Sequence, residues 1–335
     1  MIIVRAPLRL PIGGGGTDLP SYYSLYGGEW VSAAINKYIY IAINKRFENT
    51  LRISYSKTEE VDEVEKIEHP IVREALKLLG IKGGIEIVSI ADIPSNTGLG
   101  TSGSFTVALL TALHAFLRNT SNADMPTRKE IAEQACHINM NILKQPCGKQ
   151  DEYIGAYGGI TGFCANKEGN VGVESLYPVK ISPEILQELD NNLLMFYTGI
   201  RRESSKALQV QTDATKDGDK DMIDNLHRVK KIGQDIKEAL TQKDFHLFGE
   251  LMDFHWQEKI KRKGTSDPKI NRWYDLAKEA GAIGGKLVGA GGGGFFVFYC
   301  ENNKNKLREA MAKEGLKEEP FRFDLEGVKV IADFI

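Results

Sequence analysis

An α+β fold divided into two domains is what this sequence predicts, and three observations predict it. The 335 residues are 42% hydrophobic and 26% charged, enough apolar material for two cores. The texture changes beyond Gly159, from a strand-rich first half to long charged segments of helical period. Glycine supplies 34 residues, about one in ten against a usual ~7%, and it gathers at 13–16, 98–103 and 284–294. Glycine clustered between apolar runs marks backbone that turns sharply or lies against a ligand.

In chain order, an apolar strand over 2–10 leads into the first glycine cluster. A β-rich stretch over 30–47, with Ile35, Ile39, Ile41 and Ile43 among polar residues, continues at 51–55 and predicts an antiparallel sheet. A helix over 70–79 is stopped by Gly80, and a strand over 84–90 feeds the second glycine cluster. The helix over 102–117 carries Phe105, Leu109, Leu113 and Phe116 on one face, and a second helix is expected over 127–143. After the loop 144–150 and the segment 151–159, strands are expected at 160–164 and 193–197. Helices follow at 203–211, 222–240, 245–261 and 269–280, then the third glycine cluster and a strand over 295–299. A helix at 304–314 and strands at 320–323 and 327–332 close the chain. The boundary falls within 165–190, which gives domains over 1–175 and 176–335.

The formal net charge of −2 cannot hold a polyanion, which argues against a nucleic-acid or anionic-membrane protein while allowing a local basic pocket. No apolar run reaches the roughly 20 residues of a membrane span, and the start (MIIVRAPLRL) has no signal-peptide pattern. Cys136, Cys147, Cys164 and Cys300 form no CxxC pair, so reduced thiols in a cytoplasmic protein are expected. The chain is expected to act as a monomer or homodimer.

The chemistry concentrates in 94–104 (PSNTGLGTSGS), between a strand and an amphipathic helix. There the first helical N–H groups lack backbone partners and the helix dipole is positive, so phosphate is the natural guest. Gly98, Gly100 and Gly103 let the backbone approach, while Thr101, Ser102 and Ser104 add hydroxyls for phosphate or magnesium. Gly98-x-Gly100-x-x-Gly103 also fits the dinucleotide fingerprint, which needs an acidic residue at a second strand end about 20 residues on. Asp124 lies instead in a polar loop, and no Walker A loop GxxxxGK[ST] occurs.

Pro94 to Ser102 matches every defined position of P-x3-G-L-[GS]-[ST]-S, and with it the chain resembles the GHMP kinases (galactokinase, homoserine kinase, mevalonate kinase, phosphomevalonate kinase). Ala6-Pro-Leu-Arg9 with Gly13-Gly-Gly-Gly-Thr17-Asp18 resembles that family's sugar-binding motif, and Lys286-Leu-Val-Gly-Ala-Gly291-Gly-Gly-Gly-Phe295 its third motif. Gly148-Lys-Gln-Asp151-Glu-Tyr, Tyr197-Thr-Gly-Ile-Arg201-Arg202 and Trp256-x-x-Lys259 are most similar to the D-glycero-D-manno-heptose 7-phosphate kinases, and fucose-type kinases share parts of these patterns. The resemblance implies a ribosomal protein S5 domain 2-like N-terminal domain and a ferredoxin-like C-terminal domain with added helices.

It further implies ATP and Mg²⁺, with Gly98, Leu99, Gly100, Thr101, Ser102, Gly103 and Ser104 around the nucleotide phosphates. Asp151 takes the place of the catalytic carboxylate that orients a sugar hydroxyl and accepts its proton. Arg9 takes the place of the active-site arginine that stabilises charge on the transferring phosphoryl. Gly14, Gly15, Gly16, Thr17, Asp18, Gln150, Gly291 and Gly292 fall at substrate-binding positions. The phosphate of a heptose 7-phosphate needs a cation, for which Lys149, Arg201, Arg202 and Lys259 are candidates, Arg202 and Lys259 first.

One position departs from the pattern. Asn139 stands where a magnesium-binding Glu is expected, and its amide oxygen can ligate the metal without a carboxylate's charge. The metal is therefore left to Ser102 with water and ATP oxygens, with or without Asn139, or is reached by Glu133 from another turn. That departure keeps a second reading open, a non-catalytic sensor of nucleotide and sugar.

Overall fold

The computed structural model describes residues 1–202 and 205–334. Its first part is β1 (Ile2–Gly13), α1 (Pro20–Tyr26), β2 (Gly28–Lys45), β3 (Leu51–Ser54), β4 (Thr58–Val61), α2 (Pro70–Leu78) and β5 (Ile85–Ala91). Then come α3 (Thr101–Ser121), α4 (Arg128–Cys136), α5 (Gln150–Tyr157), β6 (Ile160–Ala165) and β7 (Val171–Ser175). The second part holds α6 (Pro183–Asn192), β8 (Leu193–Tyr197), α7 (Ser205–Lys216), α8 (Lys220–Gln242), α9 (Phe245–Ile260) and α10 (Pro268–Glu279). It ends with β9 (Gly284–Leu287), β10 (Phe295–Tyr299), α11 (Lys304–Lys313), β11 (Lys317–Glu318) and β12 (Lys329–Asp333).

β2 is the spine of the first sheet. Its C-terminal half pairs with β5 and its N-terminal half with β6, while β1 runs antiparallel along nearly its whole length. The order is β12-β1-β2-β5-β3-β4, with β6 on β2 and β7 on β6. Only part of the antiparallel expectation holds, because β3 lies parallel to β5. α3 packs on β1 and β2 with Val107, Leu109, Leu110 and Leu113 all fully buried. Each such side chain contributes roughly 1.5–3 kcal/mol on leaving water, so α3 is a core helix whose N-terminal end is fixed in place.

The second sheet, β11-β8-β10-β9, shows the alternation of a strand buried on both sides. Leu194, Phe196, Phe296 and Phe298 face a smaller core with Trp256, Trp273 and Tyr274, while Met195, Phe295 and Val297 join the larger core. α8 rests on β1 and β2, which brings the helical second part over the first sheet. The tail strand β12 also returns to β1. The division at 1–175 and 176–335 is therefore a proposal about cores, with β7 ending at Ser175 and β12 crossing back.

Several expectations change. The helix expected over 127–143 begins at a Thr127–Glu130 capping box but turns π-helical over His137–Ile142. Residues 320–323 form no strand; Phe323 makes a single bridge to Ile35. The helix expected to start at Glu203 is described from Ser205, and Glu203 and Ser204 lie outside the described residues. α5 was not expected, because its buried face includes the polar Gln150 and Glu152 and carries no apolar period. No helix among the described residues is long and apolar enough to cross a membrane.

Candidate active site

All three glycine clusters meet at one cavity of about 680 Å³. The second cluster forms its floor. Gly100, at φ 78°, caps α3, and residues 101–103 open the helix with N–H groups that no preceding carbonyl can reach. Thr101, Ser102 and Gly103 line the cavity together with Gly98 and Gly100. The loop is held from both sides: Arg9 N–H donates to Leu99 O at 3.0 Å, and the Arg202 N–H donates to Asn96 O at 3.2 Å.

Arg9 and Asp151 form an ion pair, with Nε donating to Oδ1 at 2.8 Å. The Arg9 guanidinium also donates to Gly98 O. A Cβ on Gly100 would stand 3.1 Å from Asp151 Oδ2 and 3.2 Å from Arg9 Cγ. Glycine there thus lets the phosphate-type loop and the ion pair share one wall, in a left-handed turn that L side chains resist. The Asp151 side chain is 30% exposed against 7% for Arg9, so the carboxylate is the partner a small molecule can reach.

Asp18 lies beside them. Its carboxylate accepts from Gly16 N–H at 2.8 Å and from Gln150 N–H at 3.2 Å, tying the first glycine cluster to the start of α5. Burial pushes its pKa up. Gly148 must be glycine because a Cβ would collide with this carboxylate. Gln150 lines the cavity, although its amide also donates to Ser32 Oγ at 2.7 Å, and Gly15 and Gly16 line it as well.

Glu152, the next residue of α5, is 2% exposed and lines the cavity. Its Oε1 accepts from Asn139 Nδ2 at 2.8 Å, and its Oε2 has no partner among the described residues. Burial, followed by the charge of Asp151, pushes its pKa up to about 8. Asn139 also faces Thr106, whose Oγ1 lies 3.2 Å from Nδ2 and 3.4 Å from Oδ1. Among the described residues no group of three or more His, Cys, Asp or Glu could by itself hold a metal.

A second wall carries basic side chains. Lys259 Nζ donates to Leu287 O at 2.6 Å and Gly289 O at 2.5 Å, anchoring the third glycine cluster. Burial, then Arg262 and Arg9, push its pKa down to about 7. Lys286 Nζ donates to Ile12 O at 2.8 Å and is pushed down by burial and by Lys259. Arg262 donates to Asn225 Oδ1 at 2.7 Å and Gln211 Oε1 at 3.0 Å, leaving Nη2 buried without a partner among the described residues. His255 is buried with both ring nitrogens unpartnered among the described residues, and its pKa is pushed down by burial and then by Lys286. Arg262, Lys286 and His255 all line the cavity, and reasoning from sequence did not select them as site residues. Arg262 sits in the ordinary basic run KRKG; Lys286 opens the third glycine motif, which was the available signal.

Arg202, Lys259 and Gly291 line the cavity. Other expected contacts turn elsewhere. The Thr17 hydroxyl donates to Gly14 O and Glu29 O, both at 2.8 Å, and the Ser104 hydroxyl donates to Pro7 O at 2.7 Å. Leu99 is fully buried in the core, Gly14 packs on the Glu29 carbonyl, and the Gly292 N–H is taken by Thr265 O at 2.8 Å. Lys149 is committed to Glu133 and Gly169 O, Glu133 also accepts from Tyr153, and neither lines the cavity. Arg201 is exposed and does not line the cavity.

Comparison with known proteins places these features. The GHMP kinases N terminal domain matches residues 66–159, and the GHMP kinases C terminal region matches 236–317. The chain is 30% identical to a D-glycero-alpha-D-manno-heptose 7-phosphate kinase of Campylobacter jejuni, over 98% of each protein. It is 27% identical to the L-fucokinase/L-fucose-1-P guanylyltransferase of Bacteroides fragilis, over 91% of this chain and 35% of that protein. In structure it superposes on a D-glycero-D-manno-heptose 1-phosphate kinase of Bacteroides thetaiotaomicron with a TM-score of 0.80, covering 100% of both chains at 24% identity, which bears on fold alone.

Proposed function

This chain belongs to the GHMP kinases, phosphotransferases with an alcohol group as acceptor, and on that premise we propose that it is an ATP-dependent sugar kinase acting on the anomeric hydroxyl of D-glycero-D-manno-heptose 7-phosphate. The observation that carries the reading is the Arg9–Asp151 pair, set in the cavity against the open N-terminus of α3.

The ATP phosphates lie on the N–H groups of Thr101, Ser102 and Gly103, where the helix end favours negative charge. Arg9 holds Asp151 Oδ1 and leaves Oδ2 for the acceptor hydroxyl. The acceptor's hydroxyl oxygen attacks the γ-phosphorus while the bond from phosphorus to the β–γ bridging oxygen breaks; Asp151 receives the hydroxyl proton and ADP leaves. Gly15, Gly16 and Gln150 hold the sugar. The phosphate the acceptor already carries meets Arg262, with Arg202 at the rim, since Lys259 is engaged with carbonyls. Magnesium would neutralise charge on the nucleotide phosphates. Ser102, exposed on the first turn of α3, fits such a hard cation, while the Asn139 amide is engaged by Thr106 and Glu152.

The test is incubation with ATP, Mg²⁺ and a panel of phosphorylated heptoses and hexoses, fucose and galactose, followed by ³¹P NMR of products. A 1,7-bisphosphate formed at least tenfold faster than any other product is expected. Faster turnover of fucose or galactose would move the acceptor to an unphosphorylated sugar, and a folded protein that phosphorylates nothing would sink the kinase reading.

A further inference from the structure

We propose that Glu152 is the carboxylate ligand of a divalent cation that enters with the nucleotide. The proposal rests on the kinase reading above, because the nucleotide supplies the cation's remaining oxygens.

The argument is one of unmatched charge. Glu152 is 2% exposed and makes no ion pair among the described residues. Two further carboxylates, Asp151 and Asp18, act on it and disfavour its charge. Asp151 has Arg9, and Asp18 has two backbone N–H groups. Glu152 has only the Asn139 amide on Oε1, and Oε2 is unpartnered although the residue borders the cavity. A buried carboxylate without a counter-ion is strongly unfavourable, and a cation arriving through the cavity supplies one.

The surroundings suit a hard cation. Thr106 Oγ1 donates to Ser102 O at 2.9 Å and stands 3.2 Å from Asn139 Nδ2, which in turn holds Glu152. One hydrogen-bonded chain therefore links the first turn of α3, where the nucleotide phosphates lie in this reading, to the Glu152 carboxylate. Mg²⁺ commonly takes one or two protein carboxylates and fills its other positions with phosphate oxygens and water. A single buried Glu, joined through Asn139 and Thr106 to the first turn of α3, matches that habit. Asn139 is then a positioning residue: it orients the carboxylate rather than ligating the ion.

Glu152→Gln tests this on the full chain, since Gln keeps the acceptor for Asn139 and removes the charge. Mn²⁺ affinity of the complex with an unhydrolysable ATP analogue is read by water-proton relaxation, and nucleotide affinity is read separately in EDTA. Mn²⁺ binding should weaken about tenfold or more, a typical cost of disturbing a metal site. Metal-free nucleotide affinity should stay within threefold, and the melting temperature without metal should not fall. The double variant Asn139→Glu/Glu152→Gln moves the carboxylate across the same hydrogen bond and should recover Mn²⁺ affinity to within threefold of the native chain. A native chain that binds no nucleotide removes the kinase reading and this proposal with it. Nucleotide binding with equal Mn²⁺ affinity in native and Glu152→Gln proteins overturns the ligand assignment alone, as does a double variant no better than the single one.

Discussion

The two walls of the cavity carry opposite kinds of ionisable group and are built differently. The acidic wall of Asp18, Asp151 and Glu152 comes from the start of α5 and the turn after β1, where backbone N–H groups at a helix end support carboxylates. The basic wall of Lys259, Arg262 and Lys286 comes from α9, the turn after it and β9, and two of its three cations donate to main-chain carbonyls. A chain of net charge −2 thereby carries a strongly polarised cavity. The difference teaches that one wall holds its charges ready for chemistry, while the other uses part of its charge to hold the third glycine cluster in shape.

The comparison breaks most sharply at Asp151. If the acidic wall performs the chemistry, Asp151→Asn keeps the shape and the Arg9 contact but loses the proton acceptor. Its kcat should fall by about 10²–10⁴, with the melting temperature little changed, measured by ADP release and thermal unfolding. A variant retaining a tenth of native kcat would assign the proton to another group.

Arg262 tests the basic wall at intermediate size. Its Nη2 is the buried cationic group there without a partner, so an acceptor phosphate should gain a charge-assisted bond worth about 1.5–3 kcal/mol. Arg262→Gln should therefore raise KM for a phosphorylated acceptor about tenfold or more and leave KM for ATP within twofold. Equal losses for phosphorylated and unphosphorylated sugars would mean that Arg262 supports the wall without reading the phosphate.

How much of this was legible follows the same divide. The acidic wall lies in short motifs: Arg9 stands close to the first glycine cluster, Asp18 ends that motif, and Asp151 stands in GKQDEY. The helix nature of α5 was not legible, because polar Gln150 and Glu152 point inward and erase the apolar period. Nor could local pattern show that Ser104 and Thr17 turn their hydroxyls to carbonyls of Pro7 and Glu29. Arg262 and His255 drew no attention because Lys and Arg are ordinarily surface residues and a lone helical His is ordinarily inert; only the packing of α9 beside β9 buries His255 and half-buries Arg262. Strand β12 was expected as a strand, but its return to β1 is a pairing across the whole chain that no window of sequence contains.

Lys259 asks the finest question, whether the basic wall is charged when nothing is bound. Burial and its cationic neighbours push its pKa from 10.5 in the unfolded chain to about 7. Between those values the unfolded chain binds a proton that the folded protein lacks, so this residue makes stability rise with pH, by up to about 1.4 kcal/mol per pH unit. Below pH 7 both states are protonated and the slope vanishes. Lys259→Met keeps the apolar stem and removes the ammonium. Urea unfolding of both proteins between pH 6 and 9, in the absence of nucleotide, should give a stability difference that shifts in favour of the native chain as pH rises above 7. Glu152 titrates in both proteins and largely cancels in that difference, whereas Lys286 and His255, pushed down in part by Lys259, are relieved in the variant, which shifts the difference in the same direction. A flat difference would mean that the carbonyls of Leu287 and Gly289 hold the ammonium charged throughout. The basic wall would then be fully cationic before any phosphate arrives, and its contrast with the acidic wall would be permanent rather than set by the ligand.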